Sequence, residues 1–184
     1  MGEFTRLLEA VRNGQPGAVD QLVALCYREL RQLAHQRLRR TGANTLLDTT
    51  SLVHECYLRL VKVGEVDTSS RTHFLGYAGK VMRSIIVDLA RERLTQRRGG
   101  NEQQVTLGTE VPDMSTAGEQ HLLRVDEALR ELAVLDERLV KVVEMKYFAG
   151  LTWQEIAGVL GVTERTVRRD WQKARVLLHA ELGP

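Results

Sequence analysis

Residues 151–169 of the chain, LTWQEIAGVLGVTERTVRR, decide the fold of its C-terminal part. Apolar residues three and four positions apart, the pattern of amphipathic helices, lie on both sides of Gly161. This spacing predicts a short helix over 153–160, a tight turn at Gly161, and a second helix capped by Thr163. Two helices joined in this way form a helix-turn-helix, which places its second helix in the major groove of DNA.

The outward faces of the second predicted helix are basic. Residues 163–175 carry five basic and two acidic side chains, and an arginine there can bond to guanine or hold a phosphate. A helical hairpin whose arginines are only solvated is the alternative, but the turn glycine and the small Ala157 stand where close helix crossing requires them. The candidate DNA-binding residues are Thr163, Arg165, Thr166, Arg168, Arg169 and Lys173.

Helical periodicity extends over most of the remaining chain. It predicts two helices over 5–38, separated at 14–17, and a third that begins after the capping run 48–51. Further helices are predicted over 74–93 and over 122–147, the latter as two helices. No segment has the alternation of a strand, so the sequence predicts an all-α protein.

A polar, glycine-containing segment around Pro112 divides the chain. Its composition is typical of a flexible linker, which predicts domains at 1–98 and 119–184 joined by the linker 99–118. The first domain carries sixteen basic against ten acidic residues. The stretch 119–144 is acidic and leaves open a compact, self-inhibited form in which it lies against the basic first domain.

The composition excludes several classes of protein. Of the 184 residues, 43% are hydrophobic and 27% charged, which is typical of one large or two small globular domains. The longest apolar runs span a few residues, whereas a membrane-spanning helix needs roughly 18 to 20. The first ten residues include Glu3, Arg6 and Glu9 rather than an apolar signal core. We therefore expect a cytoplasmic protein with no membrane segment.

The reactive residue types form no catalytic or metal-binding pattern. Cys26 and Cys56 lie thirty residues apart without a partner at metal-ligand spacing, so both are expected to be buried helix residues. His54, Glu55 and Cys56 are adjacent, but successive helical side chains point in different directions. The sequence also lacks a phosphate-binding glycine loop. We expect no enzymatic activity, no metal site and no cofactor.

The motif at 151–169, followed by KAR at 173–175, resembles the C-terminal promoter-binding region of bacterial RNA polymerase sigma factors of the extracytoplasmic-function (ECF) type. Residues 52–60, LVHECYLRL, are similar to the polymerase-binding helix of that family, and residues 74–93 to its minus-10 helix. The resemblance covers nearly the whole chain. It implies two helical domains on a flexible tether and a protein that binds core polymerase, through its β′ and β subunits, and directs initiation at promoter DNA.

The same resemblance implies a role for each region of the first domain. Core binding falls on the helix over 51–61, and Glu55 is the strongest candidate because its charge can pair with basic residues of the partner. The loop 62–71 resembles the segment that captures a flipped minus-10 base. The implied polymerase-binding residues are Leu52, Glu55, Tyr57 and Arg59; the implied minus-10 residues are Ser69, Ser70, Arg71, Phe74, Tyr77, Lys80 and Arg83, with Arg91 and Arg93 as further positive charges.

One departure from the family pattern bears on regulation. Family members commonly carry the acidic pattern AEDLVQE at the start of the core-binding helix, where this chain has TTSLVHE over 49–55. Helix capping accounts for the hydroxyls, but phosphorylation would restore the missing charge. One subgroup with a similar helix is activated by a Ser/Thr kinase. The candidate sites are Thr50, then Ser51, then Thr49; control by an anti-sigma protein is the alternative.

A helix-turn-helix repressor or a response-regulator output domain, acting without core polymerase, is the second function that the sequence allows. It explains residues 119–184 but gives the basic first domain no role. Repressors of this kind commonly dimerise on palindromic sites. Tight binding of promoter DNA by the chain alone is the observation that favours the repressor.

Overall fold

The computed structural model describes residues 2–41, 47–63, 70–98 and 116–183. All regular structure within these ranges is helical, which confirms the predicted all-α fold. None of the helices in these ranges has the length and apolar character that crossing a bilayer requires. The helices are α1 (Glu3–Arg12), α2 (Ala18–Leu25), α3 (Tyr27–Thr41), α4 (Thr49–Val63), α5 (Arg71–Arg98), α6 (Thr116–Leu135), α7 (Glu137–Val143), α8 (Trp153–Leu160) and α9 (Glu164–Leu182), with a π-helical turn (Glu144–Phe148) directly after α7.

The N-terminal group of helices, α1–α5, shares one apolar core. Helices α3, α4 and α5 pack against one another, and α2 contacts α3 and α4 while it also packs on α1. Leu22 and Phe74 are fully buried in this core. The α4 residues Leu52, Cys56 and Leu60 are spaced four positions apart and are buried together. They therefore form the side of α4 that faces the core.

The first predicted pair of helices is in fact three helices. The break at Gly17 forms as predicted, because this glycine has a φ of +76°, a conformation that other residues rarely adopt. A second break falls at Cys26, whose backbone has a φ of −99° and a ψ of 8°. Neither glycine nor proline stands there, so the sequence carries no signal for it. Cys26 is therefore buried between two helices, whereas Cys56 is buried within α4 as predicted.

The predicted loop and linker lie mostly outside the described residues. At the ends of the loop, Lys62 belongs to α4 and Arg71 to α5. Of the predicted linker, residues 116–118 form the start of α6. Helix α5 extends beyond the predicted range 74–93 at both ends.

The C-terminal group of helices, α6–α9, has apolar clusters of its own. Helix α9 packs against α6, α7 and α8. Leu129 and Leu139 are buried on one side of α9, and Ile156 and Val167 are buried between α8 and α9. Through these contacts α6 and α7 pack against the predicted helix-turn-helix and hold it in place.

A π-helical turn follows α7. The backbone N–H of Ala149 donates to the carbonyl oxygen of Glu144, five residues earlier, at 2.9 Å, whereas an α-helix links residues four apart. The sequence predicted an ordinary helix here because apolar periodicity over a few residues does not distinguish the two. The turn buries Glu144, Met145 and Phe148.

The two groups of helices pack against each other along α5. Helix α6 and the π-helical turn contact α5, and Leu122 of α6 packs on the N-terminal core. Two glycines of α5 permit this approach: a Cβ at Gly76 would lie 3.7 Å from Met145, and a Cβ at Gly79 would lie 3.2 Å from the Cβ of Ala149. The compact arrangement that the sequence left open is therefore present in the structure.

Candidate nucleic-acid interface

Hydrogen-bonded caps fix the start of each helix in the helix-turn-helix. The Thr152 hydroxyl accepts the backbone N–H of Glu155 at 3.2 Å, and the Glu155 carboxylate accepts the N–H of Thr152 at 2.7 Å, which is a capping box. Gly161 ends α8 with a φ of +65°. The Thr163 hydroxyl then caps α9 by accepting the N–H of Thr166 at 3.2 Å. The recognition helix α9 thus begins where the sequence predicted.

The six residues predicted to bind DNA stand at the start and in the first half of α9. Five of them are exposed and Thr166 is half-buried. The Arg169 side chain is 74% exposed, and its Nε lies 3.9 Å from Asp170 Oδ1. In contrast, Arg168 Nη2 lies 2.6 Å from Glu164 Oε1, and its guanidinium lies 5.2 Å from the centre of the Trp153 ring. Arg169 therefore extends into solvent, whereas Arg168 is held against its own helix-turn-helix.

The predicted polymerase-binding residues divide between the two sides of α4. Glu55 is exposed, whereas Leu52 is fully buried in the core. Tyr57 is half-buried, and its hydroxyl donates to a carboxylate of α2 at 2.8 Å. Arg59 Nη2 lies 2.8 Å from Asp88 Oδ2, which links α4 to α5. Only Glu55 of these four is placed entirely on the outside.

Two exposed apolar residues near Glu55 were missed in the sequence. Leu58 is 37% exposed and Val61 is 44% exposed, although Val61 belongs to an apolar pattern at 52, 53, 56, 57, 60 and 61 that is typical of a buried helix face. Residues three positions apart are neighbours on a helix, so Leu58 lies between Glu55 and Val61. The sequence carried a signal for these two residues, because the apolar positions of α4 cover more of its surface than one buried helix face needs.

The three candidate modification sites form the first turn of α4. Asp48 caps this helix: its Oδ1 accepts the backbone N–H of Thr50 at 2.8 Å and that of Ser51 at 3.1 Å, and its Oδ2 accepts the Ser51 hydroxyl at 2.6 Å. The Ser51 hydroxyl foremost, with these N–H groups, lowers the pKa of the Asp48 carboxyl. Thr50 is exposed, and Thr49 is half-buried.

The residues predicted to contact the minus-10 element differ widely in exposure. Ser69 lies outside the described residues, and the Ser70 hydroxyl accepts a backbone N–H of α5 at 3.3 Å. Phe74 is fully buried, and its ring packs edge-on against Phe4 with 6.1 Å between ring centres. In this conformation Phe74 supports the helix from inside. Arg71 and Lys80 are exposed, and Tyr77 is half-buried.

Arg83, the last of that set, contacts the C-terminal group of helices. Its side chain is 16% exposed, with Nη1 2.5 Å from Asp126 Oδ1 and Nη2 3.0 Å from Glu144 Oε1. Arg91 Nη2 lies 2.9 Å from Asp126 Oδ2. Arg71 in turn contacts Glu29 of α3. Carboxylates of the same chain thus contact three of the arginines on α5 that the sequence predicted to contact DNA.

The structure joins a helix-turn-helix, whose second helix is basic and exposed, to another helical group that contains a long basic helix. This combination defines a class of DNA-binding transcription factor. Comparison with family models shows which one: the ECF sigma factor model matches residues 1–183, and the chain belongs to that family. Comparison with curated proteins gave no match. As an ECF sigma factor, the chain acts in transcription initiation, in a family of non-enzymatic factors that bind core RNA polymerase and promoter DNA.

Proposed function

We propose that α9 reads the minus-35 element of the promoter, that α5 and the segment before it bind the minus-10 element, and that α4 binds the core polymerase. The observation that carries this proposal is the exposed pair Arg165 and Arg169 on a helix with a capped start. Membership of the ECF sigma family supports the division of roles. The proposed function requires a cytoplasmic chain.

Within α9, the arginines suit different contacts. Arg165 and Arg169 are four positions apart and so share a helix face, from which guanidinium groups can reach the O6 and N7 atoms of guanine. Arg168 is held by Glu164 and suits a phosphate contact. The remaining residues of the proposed minus-35 surface are Thr163, Thr166 and Lys173.

On α4, the proposed contact with core polymerase centres on Glu55. Its exposed carboxylate can pair with a basic residue of the β′ subunit, and the neighbouring Leu58 and Val61 supply apolar area to bury. Leu52, Tyr57 and Arg59 hold α4 in place through the core, α2 and α5. We therefore extend the proposed surface by Leu58 and Val61.

For the minus-10 element, Arg71, Tyr77 and Lys80 are the exposed or half-exposed groups of the proposed set. Positive side chains along a single strand hold its phosphates, which makes binding dependent on salt. Ser69 and Ser70 are proposed to supply hydrogen bonds. Arg83 joins this surface only in a conformation that releases it from its carboxylate partners.

We also propose that phosphorylation in the first turn of α4 strengthens core binding, at Thr50 first, then Ser51, then Thr49. The exposure of Thr50 and its place at a helix N-terminus support this order, because a phosphate is stabilised there. The Ser51 hydroxyl, in contrast, bonds to Asp48. Thr49 borders a groove that is also lined by Arg28 and Arg31. The partner of this proposal is a Ser/Thr kinase; an anti-sigma protein is the other form of control.

The experiment is binding to purified core polymerase, followed by transcription from a library of promoter fragments, for the unmodified chain and Thr50→Glu. Tighter binding and new transcripts with Thr50→Glu support both proposals. Equal, tight binding by both chains contradicts the phosphorylation proposal and leaves the sigma activity. Binding of promoter DNA by the chain alone, without core polymerase, would instead indicate the repressor function.

A further inference from the structure

The contact between the two helical groups is built from shielded charges. Asp126 of α6 is 6% exposed and Glu144 of the π-helical turn is 10% exposed, and both contact Arg83. Asp126 also lies 2.9 Å from Arg91 and 3.0 Å from Arg130. Hydrogen bonds between ionised groups that are shielded from water are among the strongest in proteins.

An aromatic ring completes this contact. The Phe148 ring contacts two guanidinium groups, with Arg37 at 4.0 Å and Arg83 at 5.5 Å from its ring centre. Arg37 is 2% exposed, and its Nη2 donates to the carbonyl oxygen of Gly79 at 3.2 Å. Burial, followed by the charge of Arg83, lowers the pKa of Arg37. Two arginines this close to each other need the carboxylates of Asp126 and Glu144 to balance them.

The shape of α5 also fits this contact. A Cβ at Gly79 would lie 3.2 Å from the Cβ of Ala149, so this position accepts no larger side chain without a shift of the C-terminal group. A small enclosed cavity at the interface is lined by Arg37, Arg83, Asp126 and Phe148. Charge, ring contact and close backbone approach therefore meet on one face of α5.

We propose that this contact holds the free chain in a closed conformation, in which Asp126 and Glu144 occupy the arginines of α5 that promoter phosphates engage after opening. The part of this inference that concerns the promoter rests on the proposed function. The closed conformation itself rests on the contacts alone. Carboxylate and phosphate are both anionic acceptors for a guanidinium, so closure and DNA binding compete for Arg83 and Arg91.

Such a contact is suited to opening. Removing charges from water offsets much of their attraction, so a shielded ion-pair cluster contributes little net stability compared with its strength as a contact. When the chain opens, promoter phosphates replace the carboxylates of Asp126 and Glu144 as the anions that contact these arginines. When only a fraction of a protein is in the binding-competent state, its apparent affinity falls by that fraction. The closed chain therefore binds promoter DNA weakly until it opens.

The first test neutralises the two carboxylates in the full chain as Asp126→Asn with Glu144→Gln. We expect a larger radius of gyration by X-ray scattering and, in the complex with core polymerase, binding to promoter DNA tighter by about tenfold. Glu137→Gln is the matched control, because it breaks the exposed ion pair between Glu137 and Lys141 of α7. This variant should change neither quantity. An unchanged radius in a variant with normal helix content by circular dichroism would overturn the proposal.

The second test covers the case in which that variant does not fold. In Gly79→Cys with Ala149→Cys, the Cβ atoms would lie 3.2 Å apart, so a shift of a few tenths of an ångström brings them to the separation of about 3.5–4.5 Å found in disulfides. The native thiols do not compete, because burial raises the pKa of Cys56 to about 12 and also raises that of Cys26. Gly158→Cys with Ala149→Cys is the control, since a Cβ at Gly158 would meet no atom within 4 Å.

We expect the 79–149 disulfide to form in the oxidised chain and to reduce promoter binding at least tenfold. Reduction of the disulfide should restore promoter binding. Failure of the disulfide to form, or full binding by the oxidised chain, would overturn the closed conformation. A disulfide that forms in a chain that never binds polymerase, oxidised or reduced, would leave closure intact and contradict the proposed function.

Discussion

The arginines of α9 and those of α5 carry the same charge but face different surroundings. Arg169 is 74% exposed on the recognition helix, whereas Arg83 is 16% exposed and contacts two carboxylates from another part of the chain. The proposed minus-35 surface is thus accessible in this conformation, and carboxylates of the same chain occupy part of the proposed minus-10 surface. The comparison shows that basic character in the sequence does not reveal whether a side chain is available to a ligand.

The largest expected difference is in stability. Arg83→Ala removes the arginine partner of Glu144 and one of the arginine partners of Asp126, although both carboxylates stay shielded from water. Removing one partner of such a pair lowers the free energy of unfolding by about 3 kcal/mol. Arg165→Ala removes only an exposed side chain and should change the free energy of unfolding by less than about 0.5 kcal/mol. Urea unfolding of both variants at neutral pH measures the difference. Equal effects would contradict the contrast between α5 and α9.

The next effect concerns promoter binding. Arg165→Ala and Arg169→Ala each remove a proposed base contact, worth about 2 kcal/mol or roughly thirtyfold in affinity. Titration of the polymerase complex with promoter DNA measures the loss. Arg175→Ala is the control, because Arg175 is exposed on the same helix but outside the proposed surface. If Arg175→Ala loses as much affinity, α9 attracts DNA only by its charge.

A smaller effect is expected at the helix caps, which fix where α8 and α9 begin. Thr152→Ala removes the capping box of α8, and the free energy of unfolding should fall by about 1 kcal/mol. Thr152→Ser keeps the hydroxyl and serves as the control. Thermal unfolding monitored by circular dichroism gives both values, and an Ala variant as stable as the Ser variant would show that the cap is dispensable.

The smallest effect is expected at the pair that holds Arg168. Glu164→Gln breaks an exposed ion pair between neighbouring turns, and such pairs contribute about 0.3–0.5 kcal/mol. This contribution should decline in high salt, because exposed charges are screened. Urea unfolding at low and high salt tests it. A loss that salt leaves unchanged would place Arg168 in the same category as Arg83.

The features that could be predicted from the sequence are those set by neighbouring residues. The helix-turn-helix follows from Gly161, which takes a left-handed conformation, and from Thr163, whose side chain caps the next helix. Both signals act within a few positions along the chain. The start of α4 is a partial case: Asp48 caps the helix through its side chain, but α4 begins at Thr49, whereas the sequence predicted a start after residue 51.

The features that the sequence did not reveal depend on distant residues. Arg83 meets Asp126 and Glu144 at separations of 43 and 61 positions, and local periodicity carries no information about such partners. Arg37 offered a weak signal, because it lies four positions after Leu33 on the buried side of α3. An arginine on an apolar stripe is a candidate for a buried contact. The break at Cys26 had no signal of any kind.

The π-helical turn has a geometric consequence for the whole C-terminal group. Each residue of an α-helix turns the backbone by about 100° around the helix axis. The one extra residue in this turn therefore changes the orientation of α8 and α9, which follow it. Glu144 and Phe148, which contact α5, lie within the turn, and the recognition helix comes after it. A deletion of one residue between them would therefore rotate α9 relative to α5. The length of this turn therefore affects the angle between the two proposed DNA-binding surfaces, the covered one on α5 and the exposed one on α9.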